Sequence, residues 1–200
     1  MVNDSGFTPT PSLNADCFKD ALLGGKMSLT QLFRFASETG FSTVELTAYF
    51  VSGYPEVPAD EVLYEIKRIA FRSGISFSGT GVRNDFSLKD PDLLADQIEH
   101  VKQWIVAASK LGAPNIRVFE GKNIQPGLSE ELTFKQIIDA FRECALFASR
   151  YGVTVAFRNN GGIIDTPEKM IETVKAVNSQ WFGLMPDTSN VSGPDRRRRL

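Results

Sequence analysis

Two hundred residues, 42% of them hydrophobic and 23% charged, have the make-up of a soluble globular domain. The net charge of -2 excludes a broad electrostatic attraction to nucleic acid or an anionic membrane, and no apolar run reaches the roughly 18 residues that a membrane span needs. The polar amino terminus (Asn3, Asp4, Ser5) lacks the profile of a signal peptide, so a cytoplasmic location is expected, with Cys17 and Cys144 as buried, reduced thiols.

Residues 1–11 are expected to be a flexible lead into a first strand near Ser12–Cys17. A helix then opens at Ser28, where Gln31 completes a capping box, and gathers Leu29, Leu32, Phe33 and Ala36 on one face. Gly40 stops it, and a strand near Thr43–Tyr49 follows. The next helix carries Val62, Ile66, Ile69 and Ala70, ends at Gly74 and gives way to a strand near Ile75–Val82. Asp90-Pro91 caps a third helix with Leu94, Ile98, Val101, Ile105 and Ala108 on one side. His100 falls on its polar outer side, where a solvated surface position is expected. Gly112 precedes a strand near Asn115–Glu120. A fourth stripe runs through Phe134, Ile137, Ile138, Phe141, Ala145 and Ala148 to Gly152 and a strand near Val153–Arg158. Thr166-Pro167 opens the last helix (Met170, Ile171, Val174, Val177), ahead of a strand near Phe182–Asp187.

The glycine stops at 40, 74, 112 and 152 are spaced 34, 38 and 40 residues apart, the length of one strand-helix unit. Such alternation means parallel strands, in either a doubly wound sheet or a (β/α)₈ barrel. Gly79-Thr-Gly81 lacks the third glycine of a dinucleotide fingerprint, and the similarity of the units favours the barrel. A barrel brings its strand carboxyl ends to one mouth. There the sequence places Asn14, Asp16, Glu45, Thr47, Arg83, Asn84, Asp85, Glu120, Arg158, Asn159, Asn160, Asp187 and Asn190. Of these, Glu45, Arg83, Asn84, Glu120, Arg158, Asn159 and Asn160 are the candidate substrate-binding residues, because amides, carboxylates and guanidinium groups suit a polyhydroxylated or carbonyl ligand. Asp187 stands out because an acid directly ending an apolar strand is costly unless used. Asp16 and Asp85 also read as capping or turn residues, and Arg117 as a partner for a neighbouring carboxylate.

The stretches Phe41–Tyr49, Val82–Phe86, Ala107–Pro114, Ile116–Phe119, Gly152–Gly162, Thr166–Glu168 and Phe182–Asn190 resemble the xylose isomerase-like TIM barrels, the sugar phosphate isomerase/epimerase group. The resemblance implies an α/β, (β/α)₈ TIM-barrel type fold over residues 12–195, present as about six βα units of an incomplete barrel. It further implies a sugar or sugar phosphate ligand and a divalent metal (Mn, Mg or Zn) that stabilises an enediolate after proton abstraction beside a carbonyl. Asp187 falls on one metal-ligand position of that family, the metal Asp after strand six. The Glu expected after strand five is here Arg158, and the usual His is Asn160, so metal binding is expected to be weak or absent. The remaining two ligands would lie on strands seven and eight, which this chain does not supply. It ends instead in Gly193-Pro-Asp195 and the run Arg196–Arg199, expected to be a solvated tail over 196–200. The chain is therefore expected to be a truncated or frame-shifted product, prone to self-association through exposed sheet edges and without nucleic-acid or membrane partners. Beside the isomerase/epimerase reading stands a catalytically impaired member that only binds a sugar-like or anionic ligand. An endonuclease-like relative would need a cluster of zinc-binding histidines, and the sequence has only His100.

Overall fold

In the computed structural model, which describes residues 10–190, six short strands alternate with helices. The order is β1 (Leu13–Asn14), α1 (Lys19–Leu23), α2 (Leu29–Glu38), β2 (Thr43–Thr47), α3 (Asp60–Arg72) and β3 (Ser76–Gly81). It continues through α4 (Pro91–Leu111), β4 (Asn115–Val118), α5 (Glu130–Ala148), β5 (Thr154–Phe157), α6 (Pro167–Val177) and β6 (Phe182–Leu184). Most of the expected flexible lead (residues 1–9), the Gly193-Pro-Asp195 stretch and the arginine tail lie outside the described residues.

Every neighbouring pair of strands is parallel, and their spatial order is β1-β2-β3-β4-β5-β6. Right-handed crossovers between strands laid down in chain order keep the helices on one face, as in a barrel wall. A doubly wound sheet would reverse its order at an internal strand. The architecture is thus α/β of the TIM-barrel type.

Local chemistry explains where the helices begin and stop. Ser28 and Gln31 form the reciprocal capping box, Asp90 accepts the amides of Asp92 and Leu93, and Thr166 accepts that of Lys169. All four glycine stops are left-handed, with φ between 66° and 87°. The helix stripes pack on the sheet largely as the periodicity predicts, and Phe141 of α5 meets Phe86, Phe157 and Phe182 at ring-centroid distances of 5.0–5.6 Å. Four expectations need correction. Leu63, not Val62, turns to the core of α3, and Ile171 on α6 is 52% exposed. Strand β1 ends at Asn14 and a 3₁₀ turn (Ala15–Phe18) follows, which carries Cys17 out to solvent; Cys144 is buried as expected. His100 is half-buried with its ring edge-on to Tyr54, and desolvation lowers its pKa. Among the described residues, no helix is long and apolar enough to cross a membrane.

Strand alternation then divides the sheet into two faces. Val44, Leu46, Ile116, Val118, Val155 and Phe157 are fully or almost fully buried beneath the helices. Their neighbours Glu45, Thr47, Asn115 and Arg117 project to the inner face, where Arg117 bonds both Glu45 and Thr47. Glycines in β3 make room for these side chains: a Cβ at Gly79 would lie 2.3 Å from Asn115 Oδ1.

Candidate ligand site at the strand ends

Beyond the carboxyl ends of the strands, a cavity of about 510 Å³ opens. Its wall is assembled from short segments that each follow a different strand: Asp16 after β1, Tyr49 after β2, Arg83, Asn84 and Asp85 after β3, Phe119 and Lys122 after β4, and Arg158 and Asn160 after β5. Arg117 rises into it from β4, and Gln97 leans over from α4.

Two asparagines hold this rim together by the same device. Asn84 Nδ2 donates to the Phe119 carbonyl (2.8 Å) while its Oδ1 accepts the Phe119 amide (2.9 Å). Asn159 does likewise to Asp187, donating to its carbonyl at 3.0 Å and accepting its amide at 2.7 Å. Each amide side chain therefore replaces a rung of ladder where two strands diverge, satisfying backbone groups that would otherwise be orphaned.

The acidic rim residues are mostly engaged by their own neighbourhoods. Asp16 Oδ1 accepts the Tyr49 hydroxyl, and Asp85 Oδ1 accepts the amide (2.9 Å) and hydroxyl (2.6 Å) of Ser87. Asp187 Oδ1 accepts the Ser189 amide (2.9 Å) and hydroxyl (2.6 Å), while its Oδ2 takes Arg158 Nη2 and, at 3.1 Å, Asn190 Nδ2. The Ser189 hydroxyl first, and the Arg158 guanidinium next, pull the Asp187 carboxyl down to about 2. The turn reading of Asp85 thus holds; at β1 it is Asn14 whose side chain accepts the Asp16 amide.

Glu120 is different. Its side chain is fully buried and, among the described residues, neither carboxylate oxygen has a hydrogen-bond partner. Desolvation raises its pKa to about 7, a rise that the nearby backbone amides of Asn160, Gly162 and Ile164 ease without making a hydrogen bond to it. Gly162 presses against it: a Cβ there would lie 2.9 Å from Oε1.

The candidate residues therefore separate. Arg83, Asn84, Arg158 and Asn160 line the cavity. Glu45 lies behind it, paired with Arg117; Asp187 lies behind Arg158; Asn159 is a buried brace; Glu120 is sealed beneath the 160–164 turn. Sequence reasoning missed Tyr49, Gln97, Phe119 and Lys122, and treated Arg117 as a pairing residue only. The strand-end rule that found Glu120 reaches Lys122 two residues on, whereas Gln97 sits mid-helix and only the packing of α4 brings it here.

A divalent cation does not fit these residues. It needs several anionic or neutral donors around one point. Among the described residues no three His, Cys, Asp or Glu side chains gather into such a group. The one candidate ligand, Asp187, already accepts four donors, and a guanidinium beside it repels a metal ion.

The family described as xylose isomerase-like TIM barrel matches residues 33–198. Among solved structures, D-psicose 3-epimerase from Clostridium cellulolyticum H10 superposes with a TM-score of 0.72 at 19% identity, covering 84% of this chain and 61% of that one. The probable 3-DHS dehydratase AsbF from Bacillus anthracis gives 0.73 at 18% identity, over 92% and 64% of the two chains. A family 2 AP endonuclease from Brucella melitensis gives 0.71 at 18% identity, over 92% and 70%. The chain thus spans under two thirds of the length of the first two. At these identities the likeness is one of fold. No curated protein matches the sequence.

Proposed function

Since this chain belongs to the xylose isomerase-like TIM-barrel family, we propose that it forms the ligand-binding side of a sugar isomerase or epimerase type barrel. The observation that carries this reading is the cavity of about 510 Å³ at the strand ends, lined by amide, guanidinium, ammonium and carboxylate groups together with Tyr49 and Phe119. Such a wall suits a small hydroxylated molecule. Polar side chains exchange hydrogen bonds with its hydroxyls, and aromatic faces cover its C–H surface. The likeness to D-psicose 3-epimerase, a structure solved with D-tagatose, supports the same ligand class. The free, unbridged Cys17 and Cys144 suit a reducing cytoplasm.

Proton abstraction through a metal-stabilised enediolate, the chemistry implied by the family resemblance, is not assigned to these residues, because Asp187 is committed to Arg158. That pairing favours a second reading: a member that binds a sugar-like or anionic ligand without turning it over. Incubation with D-psicose, D-fructose and D-tagatose in D₂O, followed by proton NMR, separates the two. Loss of the proton beside the carbonyl supports the isomerase/epimerase reading. Ligand-induced shifts without exchange support the second, and the absence of both rules out a site for these neutral ketoses.

A further inference from the structure

Four cationic side chains line the mouth: Arg83, Arg117, Lys122 and Arg158. Arg117 and Arg158 are held by Glu45 and Asp187, while Arg83 and Lys122 make no ion pair among the described residues. Arg83 instead lies over the Tyr49 ring, its Cζ 4.7 Å from the centroid. With Asp16 and Asp85 in the wall and Glu45 and Asp187 behind it, four carboxylates match the four cations, so net charge does not choose the ligand. Unspent hydrogen-bonding capacity does. Asp16 and Asp85 already accept donors, Asn84 is spent on Phe119, and Gln97 Oε1 takes the Asp85 amide at 3.0 Å. Among the described residues, what remains without a partner is more donor than acceptor: the guanidinium of Arg83, the ammonium of Lys122, the unused N–H groups of Arg158 and the Gln97 Nε2, against the second oxygens of Asp16 and Asp85, with Asn160 offering both.

We propose that the mouth is a metal-independent anion site, in which Arg158, oriented by Asp187, and the unpaired Arg83 and Lys122 hold a carboxylate or phosphate group of a hydroxylated ligand. A guanidinium has five N–H donors in a fixed fork. Asp187 takes one end of Arg158 and so fixes the direction of the rest, which a bidentate oxyanion matches better than a single hydroxyl does. The positive charge that a divalent ion would bring is thus supplied by protein atoms. The proposal rests on the reading of the mouth as a sugar pocket and narrows its substrate class.

Titration calorimetry on the whole chain tests it with four probes: D-gluconate, D-fructose 6-phosphate, inorganic phosphate and neutral D-fructose, each in EDTA and again with Mn²⁺. The expected result is that the carboxylate or phosphate sugar binds at least about tenfold more tightly than D-fructose, equally in EDTA and Mn²⁺. Preference between gluconate and the phosphate ester identifies the anion. Lys122→Ala, an exposed position, weakens anion binding roughly 3- to 10-fold, and Arg158→Gln weakens it roughly 10- to 100-fold, with Arg158→Lys between. Thermal melts of each variant control for folding. Anion binding that requires Mn²⁺, or that ignores these variants, overturns the proposal. Tight binding of D-fructose alone overturns it while leaving the sugar pocket standing, and silence from every probe removes both.

Discussion

Arg117 of β4 reaches across β3 to Glu45 of β2, its Nε 3.0 Å from Oε1, while its Nη2 lies 3.1 Å from Thr47 Oγ1. Asn14 of β1 donates to the other Glu45 oxygen at 3.1 Å. One largely buried ion pair therefore ties together strands that are not neighbours, and its arginine forms part of the ligand-cavity wall. The crossing is open only because Gly81 lies under the guanidinium; a Cβ there would sit 2.8 Å from Nη2.

Breaking the pair from one side leaves a carboxylate buried without its partner. Arg117→Ala is expected to lower stability by about 3 kcal/mol, whereas replacing Arg117 and Glu45 together with Met recovers much of that loss. Gly81→Ala, which keeps the pair but fills its passage, costs about 1–3 kcal/mol through overpacking. Urea unfolding of the four proteins checks the ranking, and an Arg117→Ala variant as stable as the parent would contradict it.

The two asparagine braces make a separable prediction. Asn84→Ala and Asn159→Ala each orphan one backbone amide and one carbonyl at the rim, and each is expected to cost about 2 kcal/mol. The Asn159 change carries the further consequence that Asp187 loses its hold, so Arg158 is freed to move. Amide hydrogen exchange should report faster opening at Phe119 in the first variant and at Asp187 in the second.

Glu120 gives stability an unusual slope with pH. Its folded pKa of about 7 stands above the ordinary 4.5, so between those values the folded chain holds a proton that the unfolded chain has released. Its contribution is therefore fully favourable below about pH 4.5 and is lost as pH rises toward 7, a change of roughly 3 kcal/mol. Glu120→Gln should flatten this slope and raise the melting temperature at pH 8 but not at pH 4.5. A parent protein as stable at pH 8 as at pH 5 would refute the assignment.

Asp187 works in the opposite sense. With its carboxyl held near 2 against an ordinary 3.8, its contribution is present above about pH 4 and is lost as pH falls toward 2, a change of about 2 kcal/mol. Asp187→Asn should remove that acid step and leave the Glu120 step intact. Ser189→Ala should remove part of it, since the Ser189 hydroxyl is the strongest of the groups holding the carboxylate down. Acid titrations followed by circular dichroism separate the two residues.

What could be read without coordinates was whatever neighbours in the chain enforce. The capping box at Ser28, the proline starts after Asp90 and Thr166, and the left-handed glycines after three helices and a 3₁₀ turn follow from contacts within a few residues, so their sequence signals are nearly sufficient. The polar residues after each apolar strand, together with the parallel repeat, also marked the mouth, because a barrel gathers its strand ends on one rim. The assignment of individual side chains to that mouth was not readable. Glu45 and Lys122 both sit near strand ends, yet one is spent on an arginine from β4 and the other lines the cavity with no ion pair among the described residues. Cys17 looked buried until β1 stopped two residues after it began, and Gln97 entered the site only because α4 packs over β3. Short-range backbone geometry is written locally, whereas the partner each charged group finds depends on strands brought together from up to 72 residues away, and no local pattern encodes that distance.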